Sequence, residues 1–232
     1  MSDAVSEIFS ENQNFDSKYF STICTLNGID VTSEQMAQLE EYVALLLDSN
    51  SKINLISRRD ERFVWRNHIL HSVALMLIHR FGDGGSYVDV GTGGGLPGIP
   101  LAILNSSTHF TLCDSIQKKI RVVEEMRHRL KLENVTTIGG RVEEIRLSEM
   151  GKFDGMIARA VTDLKTLFGY ADSLLRRDGK RILLAFKGGD ITKEIQTTTK
   201  RYPHARSSIH PIKFEGEIYF EEQNKFILSI HF

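Results

Sequence analysis

From Ser86 to the C-terminus, short β-rich runs alternate with helical ones. This order constrains the fold more than any other feature, because it builds a parallel sheet flanked by helices. The pattern predicts seven strands, at Tyr87 to Val90, Phe110 to Cys113, Val135 to Ile138, Gly155 to Ala158, Arg181 to Phe186, Ser208 to Phe214 and Phe226 to Phe232. Helices fill the gaps at Pro97 to Leu104, Ser115 to Leu132, Thr162 to Leu175 and Thr192 to Lys200, with Ser115 and Thr162 as N-caps. No helical run separates the last two strands, so they are expected to form an antiparallel hairpin through the Glu215 to Asn224 loop. Ahead of the sheet, Thr32 and Gln35 are placed for a capping box before Met36, Leu39, Val43, Leu46 and Leu47, which recur at helical spacing. A second helix is read from about Glu61 to Arg80. Gly82, Gly84 and Gly85 then mark the boundary between a helical extension, residues 1–81, and an α/β body, residues 82–232, on which the extension packs.

The remaining sequence narrows the class. A chain of 232 residues, 41% hydrophobic and 25% charged, can bury one sizeable core, which excludes disordered and collagen-like readings. The longest apolar run, near Ile69 to Ile78, is interrupted by His71 and Ser72 and falls short of the roughly 18 residues that cross a bilayer. The first residues are acidic, where a secretory signal would be basic and then apolar. Two cysteines, Cys24 and Cys113, make neither a disulfide framework nor a multi-cysteine zinc site, so a reducing cytoplasm and no metal are expected. Residues 1–50 carry nine acids, Asp3, Glu7 and Glu11 among them, against the single base Lys18. Residues 51–232 are left with a net charge of +7, compatible with a polyanionic partner.

The most informative segment is Tyr87-Val-Asp-Val-Gly-Thr-Gly-Gly-Gly-Leu-Pro-Gly-Ile-Pro100, a glycine-rich turn between a strand and a helix. Gly93, Gly95 and Gly98 satisfy G-x-G-x-x-G, with Asp114 following at the end of the next strand, so a dinucleotide site must be weighed. Asp89 favours a different ligand. Its carboxylate would repel a pyrophosphate and welcome an ammonium, while Asp114 suits ribose hydroxyls. Together they suggest a ligand with a ribose and an amino-acid tail, as in S-adenosylmethionine.

The segments Asn54 to Arg58, Arg66 to Ser72, Val88 to Pro100, Thr111 to Ser115, Arg141 to Glu144 and Ala158 to Ala160 together resemble the bacterial RsmG/GidB family, from about Tyr42 to Gly189. The resemblance implies a class I methyltransferase fold with a Rossmann-like seven-stranded sheet, mostly parallel with an antiparallel last strand. It implies an rRNA (guanine-N7)-methyltransferase that uses S-adenosylmethionine on 16S rRNA of the small ribosomal subunit, at guanine 527 of the 530 loop. Carried onto this chain, the family's cofactor positions are Gly91, Leu96, Val142, Glu143 and Arg159, which Gly93, Asp89 and Asp114 join on the physical argument. Arg141-Val-Glu-Glu144 could be an ordinary charged loop, but adenine binding by Glu143 is the favoured reading because the loop after the third strand faces the same switch-point crevice. His71 departs from the acid expected there in many relatives.

Guanine N7 already carries an in-plane lone pair, so no general base is needed, and alignment with exclusion of water suffices. Ile157-Ala-Arg-Ala160 stands where an amino-group methyltransferase would carry Asn/Asp-Pro-Pro-aromatic. Cys113 is better explained by packing than as a nucleophile. Arg159 and Lys187 are the residues expected beside the chemistry, Arg159 donating to the methionyl carboxylate or to guanine O6. Lys52, Arg58, Arg59, Arg62 and Arg66 form a basic stretch with His68 among them, expected to meet RNA phosphates and bases, with Trp65 more readily buried. A monomer is expected. Two other functions fit the same residues: a nucleotide-dependent oxidoreductase, and a non-catalytic RNA-binding assembly factor.

Overall fold

A computed structural model describes residues 15–144, 152–179 and 181–232; Asp3, Glu7, Glu11 and Lys180 lie outside them. Seven strands form one sheet in the order β3-β2-β1-β4-β5-β7-β6. They are β1 (Ser86–Val90), β2 (His109–Asp114), β3 (Val135–Gly139), β4 (Gly155–Arg159), β5 (Ile182–Gly188), β6 (Arg206–Pro211) and β7 (Lys225–His231). The first five are parallel, and β7 runs antiparallel to both β5 and β6. The class I methyltransferase architecture expected from the sequence is therefore present, and each predicted strand is found within two or three residues of its expected bounds. The antiparallel pair is joined through a one-turn helix, Tyr219–Glu222, inside the expected loop.

Helices α1 (Ser17–Leu26) and α2 (Ser33–Asn50) precede the sheet, and α3 (Gly98–Leu104), α4 (Gln117–Arg129), α5 (Leu164–Leu174) and α6 (Thr192–Arg201) connect its strands. Thr32 and Gln35 close both arms of their capping box, at 3.2 and 3.0 Å, worth about 1 kcal/mol at such a terminus. Two expected caps are corrected. Asp163, not Thr162, caps α5, its Oδ1 accepting from Thr166 N at 3.0 Å. At α4 the cap position is Ile116 rather than Ser115, and it makes no side-chain bond; Asp114 instead accepts from Ile116 N at 2.9 Å. In both places a carboxylate one residue away, rather than the hydroxyl, makes the side-chain bond to a backbone amide near the helix start.

The helix expected from Glu61 to Arg80 is also corrected. A 3-10 turn covers Arg58–Phe63, a π turn Trp65–Leu70, a single α turn His71–Val73 and another 3-10 turn Ala74–Leu77. Such widened turns are often found at functional sites. Here the π turn puts Trp65, Ile69 and Leu70 into the core, so Trp65 is buried as expected.

Strand side chains alternate between two cores. Tyr87, Phe110, Leu112, Ile157, Leu184 and Phe186 face a cluster filled by α1, α2, the irregular segment and α3. Val88, Val90, Cys113, Met156, Ala158, Leu183 and Ala185 face α5 on the other side. Burial on both faces gives the central strands the near-continuous apolar runs from which they were read; the edge strands β3 and β6 are more exposed. The extension thus covers one face together with α3 and α4. Asp89, fully buried, shares the alternation of Tyr87 on β1 and so projects toward that face.

Candidate active site

The glycine-rich turn lies at the carboxyl end of β1, whose neighbours are β2 and β4, the point where strand order reverses and a crevice opens. Gly91 has φ +69°, and a Cβ there would come within 2.7 Å of Val161. Gly98 is closed differently: a Cβ would overlap Leu112 and sit 2.9 Å from Asp89 Oδ2. Six amides of the turn and the helix start are taken within the protein. Thr92 N donates to Cys113 O, Gly95 N and Leu96 N to Thr92 O, and Ile99 N to Gly95 O, all within 2.9 Å. Gly93 N donates to Asp114 Oδ2 at 2.9 Å and Gly98 N to Asp89 Oδ2 at 3.0 Å. A dinucleotide fingerprint binds pyrophosphate with free amides at this helix start; here the protein's own carboxylate occupies the first amide of α3.

Asp89 has a second oxygen. Oδ2 takes Thr92 Oγ1 at 2.6 Å as well as Gly98 N, whereas Oδ1 is buried without a partner. Burial pushes the carboxyl up to about 7, against the lowering effect of those two hydrogen bonds and of nearby Arg159. An unpartnered carboxylate oxygen inside a protein is costly, and an ammonium donor is its natural complement.

Beside the turn, a cavity of about 310 Å³ is lined by Gly91, Cys113, Asp114, Val142, Glu143 and Tyr170, among others. Four of the expected cofactor positions therefore share one space. Asp114 accepts a backbone N–H on each oxygen and keeps lone pairs on both for hydroxyl donors. Glu143 accepts from Tyr170 OH at 2.7 Å, a contact that ties the loop after β3 to α5. Cys113 is packed as expected, yet it also contributes to the cavity wall. The structure divides the set, however: Leu96 is buried in the core on the extension side, and Arg159 points toward that side as well.

There, Arg159 Nη2 lies 3.3 Å from His68 Nδ1. Burial weakens the hold of Arg159 on its proton, opposed by Tyr42, Asp89 and Asp60; a guanidinium nonetheless stays charged. Tyr42, fully buried on α2, donates to Gly94 O at 2.9 Å and so fixes the turn from the extension. His68 and His71 are both held neutral, first by burial and then by Arg159. The His71 ring packs 4.8 Å from that of Phe186.

Lys187 faces away from this network. Its Nζ donates to Thr162 O at 3.3 Å and pairs with Glu194 at 3.4 Å. The basic stretch is split as well. Arg58, Arg59 and Arg62 are exposed on the 3-10 turn, and exposed Lys52 pairs with Asp48 at 2.8 Å. Arg66 turns inward, stacked over Tyr219, Phe15 and Phe63 at 3.9, 4.3 and 4.8 Å. The His68 side chain is only 13% exposed. Tyr42, Thr92, Asp60 and Tyr170 were not singled out from sequence; only Tyr42, a polar tip on an apolar helical stripe, carried a readable signal.

The family described as rRNA small subunit methyltransferase G, GidB, matches residues 35–216. A ribosomal RNA small subunit methyltransferase G of Christiangramia forsetii is 39% identical over 83% of this chain and 86% of its own. Its counterpart in Chlorobaculum tepidum is 42% identical over 75% and 77%. Among solved structures, an O-methyltransferase from Bacillus cereus in complex with SAH superposes with a TM-score of 0.51 at 14% identity, covering 92% of this chain and 96% of that one. TYW2 of P. horikoshii in complex with MeSAdo gives 0.51 at 11% identity, over 71% and 62%.

Proposed function

The chain belongs to the rRNA small subunit methyltransferase G family, and from that premise we propose that it methylates N7 of a guanine in 16S rRNA with S-adenosylmethionine as donor. The observation that carries the donor reading is an orphaned, buried Asp89 Oδ1 beside a helix start whose first amide the same carboxylate already takes. An ammonium suits that oxygen, and the amide at the start of α3 that a pyrophosphate would take is already held by Asp89, which counts against the oxidoreductase alternative.

The residues fit the donor in two groups. Asp89 would accept its ammonium, Asp114 its ribose hydroxyls, and Val142 and Glu143 would flank its adenine in the cavity beside Gly91. When bound, the donor supplies a methyl group on a positively charged sulfur. Arg159 keeps its remaining N–H groups for an oxygen, either the donor's carboxylate or guanine O6. Because N7 needs no deprotonation, these residues bind, orient and exclude water, and none has to move a proton. Exposed Arg58, Arg59, Arg62 and Lys52 supply phosphate contacts, so RNA affinity falls as salt rises. The reading places the protein, as a monomer, in the cytoplasm with its RNA.

Arg159→Ala tests the assignment. Methyl transfer should fall by at least about tenfold, as expected for losing a hydrogen bond to a charged group. S-adenosylhomocysteine affinity tells the two oxygens apart: it weakens if Arg159 holds the carboxylate and is unchanged if it holds guanine. Full activity with normal affinity refutes the role. Binding of NADH in place of S-adenosylhomocysteine refutes the donor.

A further inference from the structure

We propose that His68 is a positioning residue for Arg159, its Nδ1 accepting an arginine N–H while Asp60 fixes the tautomer from the other side of the ring. The inference rests on the reading of Arg159 as facing ligand. Arg159 Nη2 is 3.3 Å from His68 Nδ1, and a guanidinium has donors but no acceptor. The arginine therefore donates, Nδ1 carries no proton, and the proton of the neutral ring sits on Nε2. That atom is buried without a hydrogen-bond partner and lies 3.8 Å from Asp60 Oδ2, where a carboxylate favours the N–H.

Asp60 is itself held. Asn67 donates to its Oδ1 at 2.8 Å, and Arg66, wedged over Tyr219, donates to Asn67 Oδ1 at 3.0 Å. The chain Arg159, His68, Asp60, Asn67 thus runs from the end of β4 into the segment that presents Arg58, Arg59 and Arg62. Protonating the ring would remove its acceptor and set two cations in contact. Burial first, and Arg159 second, hold His68 down at about 4, with Asp60 opposing, so the acceptor form persists at neutral pH. A long arginine left to its own rotamers would sample many orientations; the imidazole restricts it to one, and misplacement by about 1 Å can cost a hundredfold in rate. His68 is too enclosed to stack on a base, which moves it from the RNA surface to this interior role.

Comparing His68→Asn with His68→Gln tests the role, using labelled methyl donor, purified small subunits and thermal unfolding of each variant. Asparagine carries its carbonyl near the position of Nδ1; glutamine extends it toward Nε2. With both folded, Asn should keep kcat within about threefold and Gln should lose at least about tenfold. Equal kcat for the two, or a more active Gln, overturns the proposal. If only Asn folds, it decides alone: kcat within that range supports the role, and a tenfold loss overturns it. Arg159→Ala in the same assay separates the two levels. If it methylates normally, the Arg159 reading falls and this inference with it; if it is inactive while both His68 variants match the parent, only the positioning role falls.

Discussion

Replacing Asp89 with asparagine should stabilise the ligand-free protein at high pH while weakening its binding of donor. The carboxyl titrates at about 7 in the folded chain against an ordinary 3.8, so the native state holds this proton more tightly than the unfolded one. Stability from this group is therefore greatest below the lower value, falls as pH rises between the two, and levels off above the upper one. At about 1.4 kcal/mol per pH unit the full span comes to about 4 kcal/mol, of which roughly 2 to 3 kcal/mol lies between pH 5 and pH 8. Asparagine stays neutral throughout, and its carbonyl can still accept from Thr92 and Gly98. Urea unfolding of both proteins from pH 5 to pH 8 should show the variant gaining on the parent by that amount, since all other titrations are shared. Titration with S-adenosylhomocysteine near pH 7, in buffers of different ionisation enthalpy, should show proton release from the parent and none from the variant. A stability difference constant across this pH range would refute the argument.

Gly98→Ala should cost about 1 to 3 kcal/mol in urea unfolding, because its Cβ would overlap Leu112 and crowd Asp89; an unchanged midpoint contradicts the close approach. Tyr42→Phe strands the buried Gly94 carbonyl and should lower stability by about 1 to 3 kcal/mol, with weaker S-adenosylhomocysteine binding; parent-like values for both would show that α2 does not support the turn. Substituting Arg58, Arg59 and Arg62 together by Ala should reduce the salt slope of RNA binding by about two and leave S-adenosylhomocysteine affinity intact. A parent-like slope would place the RNA elsewhere.

The centre of the sheet was legible because β1, β2, β4, β5 and β7 are buried on both faces, whereas edge strand β6 is largely exposed. Continuous apolar runs such as Ile182 to Phe186 and punctuation at Gly179 mark it without reference to anything distant. The glycine turn and Asp114 were legible for the same local reason. Helix α1 was not, since its buried Tyr19, Phe20, Ile23 and Cys24 make a short stripe in an acidic stretch. The irregular turns from Arg58 to Leu77 escaped because apolar periodicity reports a face, not the hydrogen-bond spacing behind it. Arg66 and His68 looked like RNA contacts because charge clustering in sequence does not say which side chains turn inward. That depends on partners far along the chain, Tyr219 for Arg66 and Arg159 for His68. The amides consumed by the turn are likewise invisible until Asp89, Thr92 and Asp114 are placed in space.

The most direct test uses small subunits from cells lacking this gene, incubated with the purified protein and methyl-labelled S-adenosylmethionine, with methylated nucleosides identified by mass spectrometry. Label is expected in 7-methylguanine at a single position of 16S rRNA, abolished by Arg159→Ala. Label in another base, or no transfer at all, would contradict this expectation.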